Sequence, residues 1–168
     1  MSTISDYTKE EWLLLHRIPG MVGTIVLIAD ESGLWGTTKE TFAVSKEWAK
    51  GVNEYPTNSL IQSLLREKED PEGEPIKDAY KDFQDDVKRK GLDQFSNDII
   101  ADCGQAADVL DDKSSAEEAN EYKAWVLTIG RQVAGAAKEK DSSDGKVSQK
   151  EEAVLQQVAA ALRFEDLP

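Results

Sequence analysis

The chain has 168 residues, 39% of them apolar, which is enough for one domain with a hydrophobic core. Its 33 acidic and 20 basic residues give a formal net charge of −13, which disfavours binding to nucleic acid or to an anionic membrane surface. We therefore expect its partners to be cations or the basic or neutral surfaces of other proteins.

Helix starts are marked by the Ser/Thr-x-x-Glu capping box, in which two side chains satisfy backbone N–H groups of the first helical turn. The pattern occurs, in chain order, at Thr8/Glu11, Thr37/Glu40, Ser115/Glu118 and Ser148/Glu151. Apolar residues at helical spacing follow each box, so each one predicts the start of a helix.

The first predicted helix begins after Thr8 and reaches Pro19, which either kinks it or starts a new helix. An apolar run from Met21 to Ala29 continues the pattern, but it is well short of the roughly 20 residues that a membrane span needs. The N-terminal sequence lacks the features of an export signal. The lone Cys103 fits a reducing compartment. These features predict a cytoplasmic protein without a membrane span.

The helix that begins at Thr37 is predicted to end near Lys50, with Gly51 as its C-terminal cap. Another helix is predicted from Thr57 or Asn58. The sequence D-P-E-G-E-P at 70–75 then predicts a surface loop, because proline, glycine and acidic residues together favour turns.

Four more helices are predicted in the second half of the chain. An amphipathic pattern runs from Ile76 to Gly91, and a second covers 95–110. The longest helix is predicted from Ser115 to Ala137, and the last begins at Ser148. We therefore predict an all-α fold, a single-domain helical bundle of about seven helices over 1–168, with a short C-terminal tail at 164–168.

Two elbows between predicted helices have similar sequences. One is D-E-S-G-L-W-G-T-T-K-E from Asp30 to Glu40, and the other is D-S-S-D-G-K-V-S-Q-K-E from Asp141 to Glu151. Each has an acidic turn containing glycine, followed by a hydroxyl residue with glutamate three places later. This duplication predicts two pseudo-repeated helical hairpins.

The elbows are also the candidate metal sites, because closely spaced carboxylates on a turn suit hard cations such as Ca²⁺ or Mg²⁺. The second elbow supplies Asp141, Asp144 and Glu151, and the first supplies Asp30 and Glu40.

Two observations oppose a high-affinity calcium loop. Aligning Gly145 with the invariant glycine of such a loop places Lys140 at the first ligand position. In addition, Glu40 and Glu151 are both explained as capping-box residues. The elbows are therefore either cation sites or purely structural turns.

The elbow motifs resemble the repeated signature of the tellurite-resistance TerB-like family. The matching segments are A-D-E-S-G from Ala29 to Gly33 with Glu40, and D-G-K-V-S-Q-K-E from Asp144 to Glu151. The resemblance implies an all-helical, pseudo-symmetric domain that acts in tellurite or metal stress, binds a divalent cation and has no catalytic chemistry. The first elbow departs from the pattern, since Glu-Ser separates Asp30 from Gly33.

A further acidic group lies on or after the helix at 95–110. It consists of Asp98, Asp102, Asp108, Asp111 and Asp112. Like charges four residues apart on a helix repel each other by roughly 0.2–0.5 kcal/mol per pair, which an ion or a basic neighbour offsets. We interpret the group as a solvated face, with Lys88, Arg89 and Lys90 as candidate counter-charges.

Few residues suggest catalysis. His16 is the only histidine and is predicted to border the core, while Cys103 is predicted to be a buried apolar group. Trp35, in a glycine-flanked turn, either packs over its hairpin or anchors a partner. We therefore predict a protein that is not an enzyme, either a TerB-like cation-binding module or an acidic protein-interaction module without metal.

Overall fold

The computed structural model describes residues 2–29, 46, 48–76, 89–138 and 147–165. A short 3-10 helix, Ile4–Asp6, precedes five α-helices, which are α1 (Lys9–Ala29), α2 (Ser59–Arg66), α3 (Leu92–Lys113), α4 (Ala116–Lys138) and α5 (Gln149–Ala161). Residues 48–54 are also helical and are called the 48–54 segment below. The described residues contain helices and turns without a strand, so the predicted all-α fold is confirmed.

Three of the predicted capping boxes are formed. The backbone N of Thr8 donates to Glu11 at 2.7 Å, and the backbone N of Ser148 donates to Glu151 at 2.7 Å. At the start of α4 the Glu118 backbone N donates to the Ser115 hydroxyl at 3.2 Å. These boxes fix the starts of α1, α4 and α5, whereas Thr37/Glu40 lies outside the described residues.

Four helices form the bundle. Each of α1, α3, α4 and α5 contacts the other three, and α2 packs on α4. One hydrophobic cluster connects them, and its largest fully buried members include Trp12, Trp125, Tyr122, Leu15, Ile18, Ile25, Ile99 and Leu110. Among the described helices, α1 alone is long and apolar enough to cross a membrane, with 21 residues and a mean hydropathy of 1.6 over an 18-residue stretch. More than half of that apolar stretch is buried inside the bundle, as in a core helix.

Pro19 lies inside α1, which continues without a break to Ala29. Proline has no backbone N–H, so the carbonyl of Leu15, four residues earlier, loses its helical donor. The Tyr122 hydroxyl of α4 donates to that carbonyl at 2.6 Å, and both groups are buried. A side chain from the neighbouring helix therefore replaces the hydrogen bond that proline removes.

Gly51 does not end a helix, and the prediction that it is a C-terminal cap was wrong. The 48–54 segment runs through Gly51 to residue 54. A Cβ atom at this position would lie 2.7 Å from Nε1 of Trp125 and 2.9 Å from its Cε2. Glycine is required here because the Trp125 indole of α4 lies directly against the backbone.

The end of α5 has an unusual residue in the left-handed conformation. Arg163 has a φ of 55°, which is the conformation that glycine usually supplies after a helix. Its backbone N donates to the Ala160 carbonyl at 3.1 Å, and the Phe164 N donates to the Ala159 carbonyl at 3.0 Å. These two bonds form a Schellman motif that satisfies the last carbonyls of α5.

Candidate functional site

Glu151 is the one member of the predicted metal set that lies within the described residues. It is 2% exposed at the first turn of α5, and its carboxylate accepts the Ser148 backbone N–H at 2.7 Å. The Glu151 backbone N donates in return to the Ser148 hydroxyl at 3.2 Å. The carboxylate is therefore engaged in capping the helix.

The other predicted ligands, Asp141, Asp144, Asp30 and Glu40, lie outside the described residues, and so does Trp35. Among the residues that the structure describes, no three histidine, cysteine, aspartate or glutamate side chains are grouped so that they could hold a metal ion. A cation site at either elbow stays a prediction.

The acidic group on α3 is largely matched by basic side chains. Within the described part, Lys90 donates to Asp98 at 2.9 Å, Arg17 of α1 donates to Asp102 at 2.7 Å, and Lys123 of α4 donates to Asp111 at 3.2 Å. Lys90 is one of the three counter-charges predicted from sequence, and Lys88 lies outside the described residues. The contacts of Arg17 and Lys123 join α3 to neighbouring helices.

Arg163 adds a second connection to this group. Its guanidinium donates to Asp108 and, at 2.9 Å, to Asp111. Hydrogen bonding from Lys123, together with that from Arg163, outweighs partial burial and lowers the pKa of Asp111. Much of the negative charge on α3 is therefore neutralised by the fold and is not displayed to a partner.

The turn after α2 is also acidic, but here one carboxylate is buried inside the turn and other acidic side chains are exposed. Asp70 is buried, and its Oδ1 accepts the backbone N–H groups of Glu72 at 2.8 Å and Glu74 at 3.0 Å. Its Oδ2 lies 3.2 Å from the ammonium of Lys9. Burial acts to raise the pKa of Asp70, but the hydrogen bonds from Glu74, Glu72 and Lys9 outweigh it and lower the pKa.

Backbone contacts hold the same turn. The Asp70 N donates to the Glu74 carbonyl at 2.9 Å, and the Ile76 N donates to the Lys68 carbonyl at 3.0 Å. Gly73 takes a φ of 83°, which closes the turn. The exposed side chains that project from this frame include Glu67, Glu69 and Glu74, together with Glu72, whose carboxylate accepts a hydrogen bond from the Lys9 ammonium at 3.0 Å. We call this set the acidic turn.

The sequence predicted a surface loop here, but it did not predict that hydrogen bonds fix the backbone of this loop. The missed signal is an aspartate that begins D-P-E-G-E, because an aspartate carboxylate readily bonds the backbone two residues further along.

The only histidine contacts the first of a series of packed aromatic rings. The His16 ring meets Trp48 edge to face, with ring centroids 4.9 Å apart, and Trp48 stacks on Trp125 at 6.4 Å. Trp125 in turn meets Tyr122 at 5.9 Å. Burial lowers the pKa of His16 to about 4, so its imidazole is neutral at neutral pH.

Cys103 is buried in the core, as predicted. Burial also disfavours the charged form of its thiol, which here means a higher pKa. Burial, with a smaller contribution from the charge of Asp102, raises the pKa of Cys103 to about 12. A thiol in this state is not a nucleophile at neutral pH. Neither Cys103 nor His16 therefore has the properties that covalent catalysis requires of it.

The chain matches no protein-family model, no curated protein and no solved structure. The TerB-like resemblance thus stays a prediction from its short motifs.

Proposed function

We propose that this chain is a non-catalytic helical module that binds a basic surface of a partner protein through its acidic turn. The observation that supports this proposal is the contrast between the two acidic regions. Four aspartates of α3 are paired with Arg17, Lys90, Lys123 and Arg163. In the acidic turn Lys9 pairs with Glu72, while Glu67, Glu69 and Glu74 are exposed on an ordered backbone.

An ordered charged surface binds a partner at a lower entropic cost than a flexible one. The buried carboxylate of Asp70 supplies this order, because it bonds two backbone N–H groups of the turn and the Lys9 ammonium. The net charge of −13 favours the approach of a basic partner from a distance, with a strong dependence on salt.

The test compares two variants that lose the same charge. Glu67→Gln/Glu69→Gln/Glu74→Gln neutralises the acidic turn, and Asp93→Asn/Glu117→Gln/Glu165→Gln neutralises three other exposed residues. Binding of a lysine- and arginine-rich peptide of about 15 residues is measured by calorimetry at low and at physiological salt. We expect the first variant to lose about tenfold or more in affinity, and the second less than about threefold.

Equal losses in the two variants would show that only net charge matters and would remove the acidic turn from the proposal. No binding of the peptide to the wild-type chain at low salt would overturn the interaction function itself. Asp70→Asn adds a test of order, since it keeps the exposed glutamates but weakens the frame that presents them.

Cation binding in a TerB-like stress role is the second candidate. The resemblance at Asp144 to Glu151 supports it, and the engagement of Glu151 in the capping box of α5 counts against it. Calorimetric titration with Ca²⁺, Mg²⁺, Mn²⁺ and Zn²⁺, repeated on Asp144→Ala/Glu151→Ala, separates the candidates. Saturable heat that this double variant abolishes would favour the cation function over the interaction module.

A further inference from the structure

Lys9, in the first turn of α1, joins this helix to the acidic turn. Its ammonium nitrogen lies 3.0 Å from a carboxylate oxygen of Glu72 and 3.2 Å from Oδ2 of Asp70. Hydrogen bonds to Glu72 and then to Asp70 raise the pKa of Lys9, because they stabilise its charged form. A basic group of the chain itself therefore occupies two carboxylates of the surface that is proposed to bind a basic partner.

The two carboxylate oxygens of Asp70 have different partners. Oδ1 accepts the backbone N–H groups of Glu72 at 2.8 Å and Glu74 at 3.0 Å, which fixes the carboxylate within the turn. Oδ2 pairs with the Lys9 ammonium. Since the bonds to Oδ1 do not involve Lys9, the Asp70 carboxylate stays in place when the ammonium leaves, and Oδ2 can then accept a different cation.

The contact is open to solvent on its Glu72 side. The side chain of Glu72 is 64% exposed and that of Lys9 is 29% exposed, whereas that of Asp70 is only 2% exposed. A cation from solution can therefore reach Glu72 first and then replace the ammonium at Asp70. A guanidinium suits this position better than an ammonium, because its planar fork of N–H groups can donate to two carboxylates at once.

Lys9 also lies at the end of α1 that disfavours a positive charge. The N-terminus of a helix carries a partial positive charge, which stabilises acidic residues in the first turn and opposes basic ones. Glu10 and Glu11 follow this preference, but Lys9 does not. The carboxylates of Asp70 and Glu72 thus hold the ammonium against the helix dipole, which favours its exchange for a cation that does not belong to α1.

We propose that the Lys9 contact is autoinhibitory: Lys9 occupies the carboxylates of Asp70 and Glu72 in the free chain, and an arginine of the basic partner displaces it on binding. This inference rests on the proposed interaction function and adds its regulation. Attachment to α1 gives the ammonium a high effective concentration at the two carboxylates. A contact that is closed in about nine chains of ten lowers the apparent affinity of the partner about tenfold.

Two variants that each remove one positive charge test this contact. Lys9→Met keeps the aliphatic stem of the side chain and removes the ammonium. Lys68→Met is the matched control, because Lys68 is exposed beside Glu67 and Glu69 and no described residue forms an ion pair with it. Calorimetry at low salt measures binding of an arginine-rich, lysine-free peptide of about 15 residues. We expect Lys9→Met to bind it about tenfold or more tightly than the wild type, and Lys68→Met less than about threefold more tightly.

Chemical labelling detects the displacement in the wild-type chain and does not depend on the folding of a variant. An ammonium held by carboxylates reacts slowly with a limiting amount of acetic anhydride, because it rarely loses its proton. The arginine peptide, blocked at its own N-terminus, should raise the labelling of Lys9 several-fold, as measured by mass spectrometry. The labelling of Lys68 should stay unchanged or fall.

Tighter binding by Lys9→Met than by Lys68→Met, with increased labelling of Lys9 in the complex, supports the autoinhibitory contact. Equal gains in the two variants, or unchanged labelling of Lys9 when the peptide binds the wild type, overturn it and leave the interaction function intact. A loss of affinity in a folded Lys9→Met variant also overturns it, since Lys9 then supports the binding surface. If neither the wild type nor Lys9→Met binds the peptide, the interaction function itself fails, and this contact with it.

Discussion

The α1–α4 contact and the contacts of α3 with the end of α5 hold the bundle by different means. Between α1 and α4, fully buried side chains such as Trp125 and Leu15 pack in the core, and the buried Tyr122 hydroxyl bonds the backbone of α1. At the end of α5, Arg163 bridges two aspartates of α3 whose side chains are 48% and 68% exposed.

The difference separates two roles. Buried apolar area contributes roughly 25 cal/mol per Å², so the α1–α4 contact should supply much of the free energy of folding. Exposed ion pairs contribute roughly 0–1 kcal/mol and weaken in salt, so the two pairs of Arg163 should mainly orient the end of α5. Substitutions in the two regions should therefore differ both in size and in salt dependence.

The largest effect is expected from Trp125→Ala. The side chain is fully buried between Trp48 and Tyr122, and loss of a buried tryptophan usually lowers the free energy of unfolding by about 3–5 kcal/mol. Urea unfolding monitored by far-UV circular dichroism measures the loss. Gln132→Ala, an exposed change on the same helix, should stay within about 0.5 kcal/mol of the wild type. A loss below about 1 kcal/mol for Trp125→Ala would contradict the assignment of the core to this contact.

A smaller effect, with a more specific cause, is expected from Tyr122→Phe. It leaves the buried Leu15 carbonyl without a donor and should lower the free energy of unfolding by about 1–3 kcal/mol. Pro19→Ala restores a backbone N–H four residues after Leu15, so in that background Tyr122→Phe should cost less. A double-mutant cycle by chemical denaturation gives the coupling. Equal costs in both backgrounds would show that the hydroxyl does not compensate for proline.

The local elements of this fold could be predicted from sequence because their causes are local. A capping box such as Ser148/Glu151 needs only residues three places apart, so the starts of α1, α4 and α5 follow from the chain itself. Asn58, proposed from sequence as a possible helix start, also caps α2 by accepting the Ile61 N–H at 2.9 Å.

The failures have tertiary causes. Gly51 is the residue type that commonly follows a helix end. Its role here is to leave space for the Trp125 indole, which is 74 positions away in the chain. Likewise, nothing around Pro19 indicates that Tyr122 completes the hydrogen bonding of α1. In the candidate metal site, the capping role of Glu151 could be predicted from sequence. Cation binding by Asp141 and Asp144 stays a prediction, because both lie outside the described residues.

The smallest effects are expected at Arg163, where two contributions to stability oppose each other. Its left-handed backbone, with a φ of 55°, disfavours any residue with a Cβ atom, while its guanidinium gains the pairs with Asp108 and Asp111. Arg163→Ala keeps the backbone strain and loses the ion pairs, so it should lower the melting temperature most. Arg163→Gly also loses the pairs but removes the strain, so it should melt between the alanine variant and the wild type.

Salt distinguishes the two contributions at Arg163. Raising NaCl from 0.05 to 1 M shortens the screening length from above 10 Å to about 3 Å, which weakens the ion pairs but leaves the backbone strain unchanged. The melting temperature of the wild type should therefore move towards that of Arg163→Ala, while the difference between the alanine and glycine variants persists. If that difference disappears in salt, or if glycine destabilises as much as alanine, the left-handed backbone is not a source of strain and the ion pairs alone fix the end of α5.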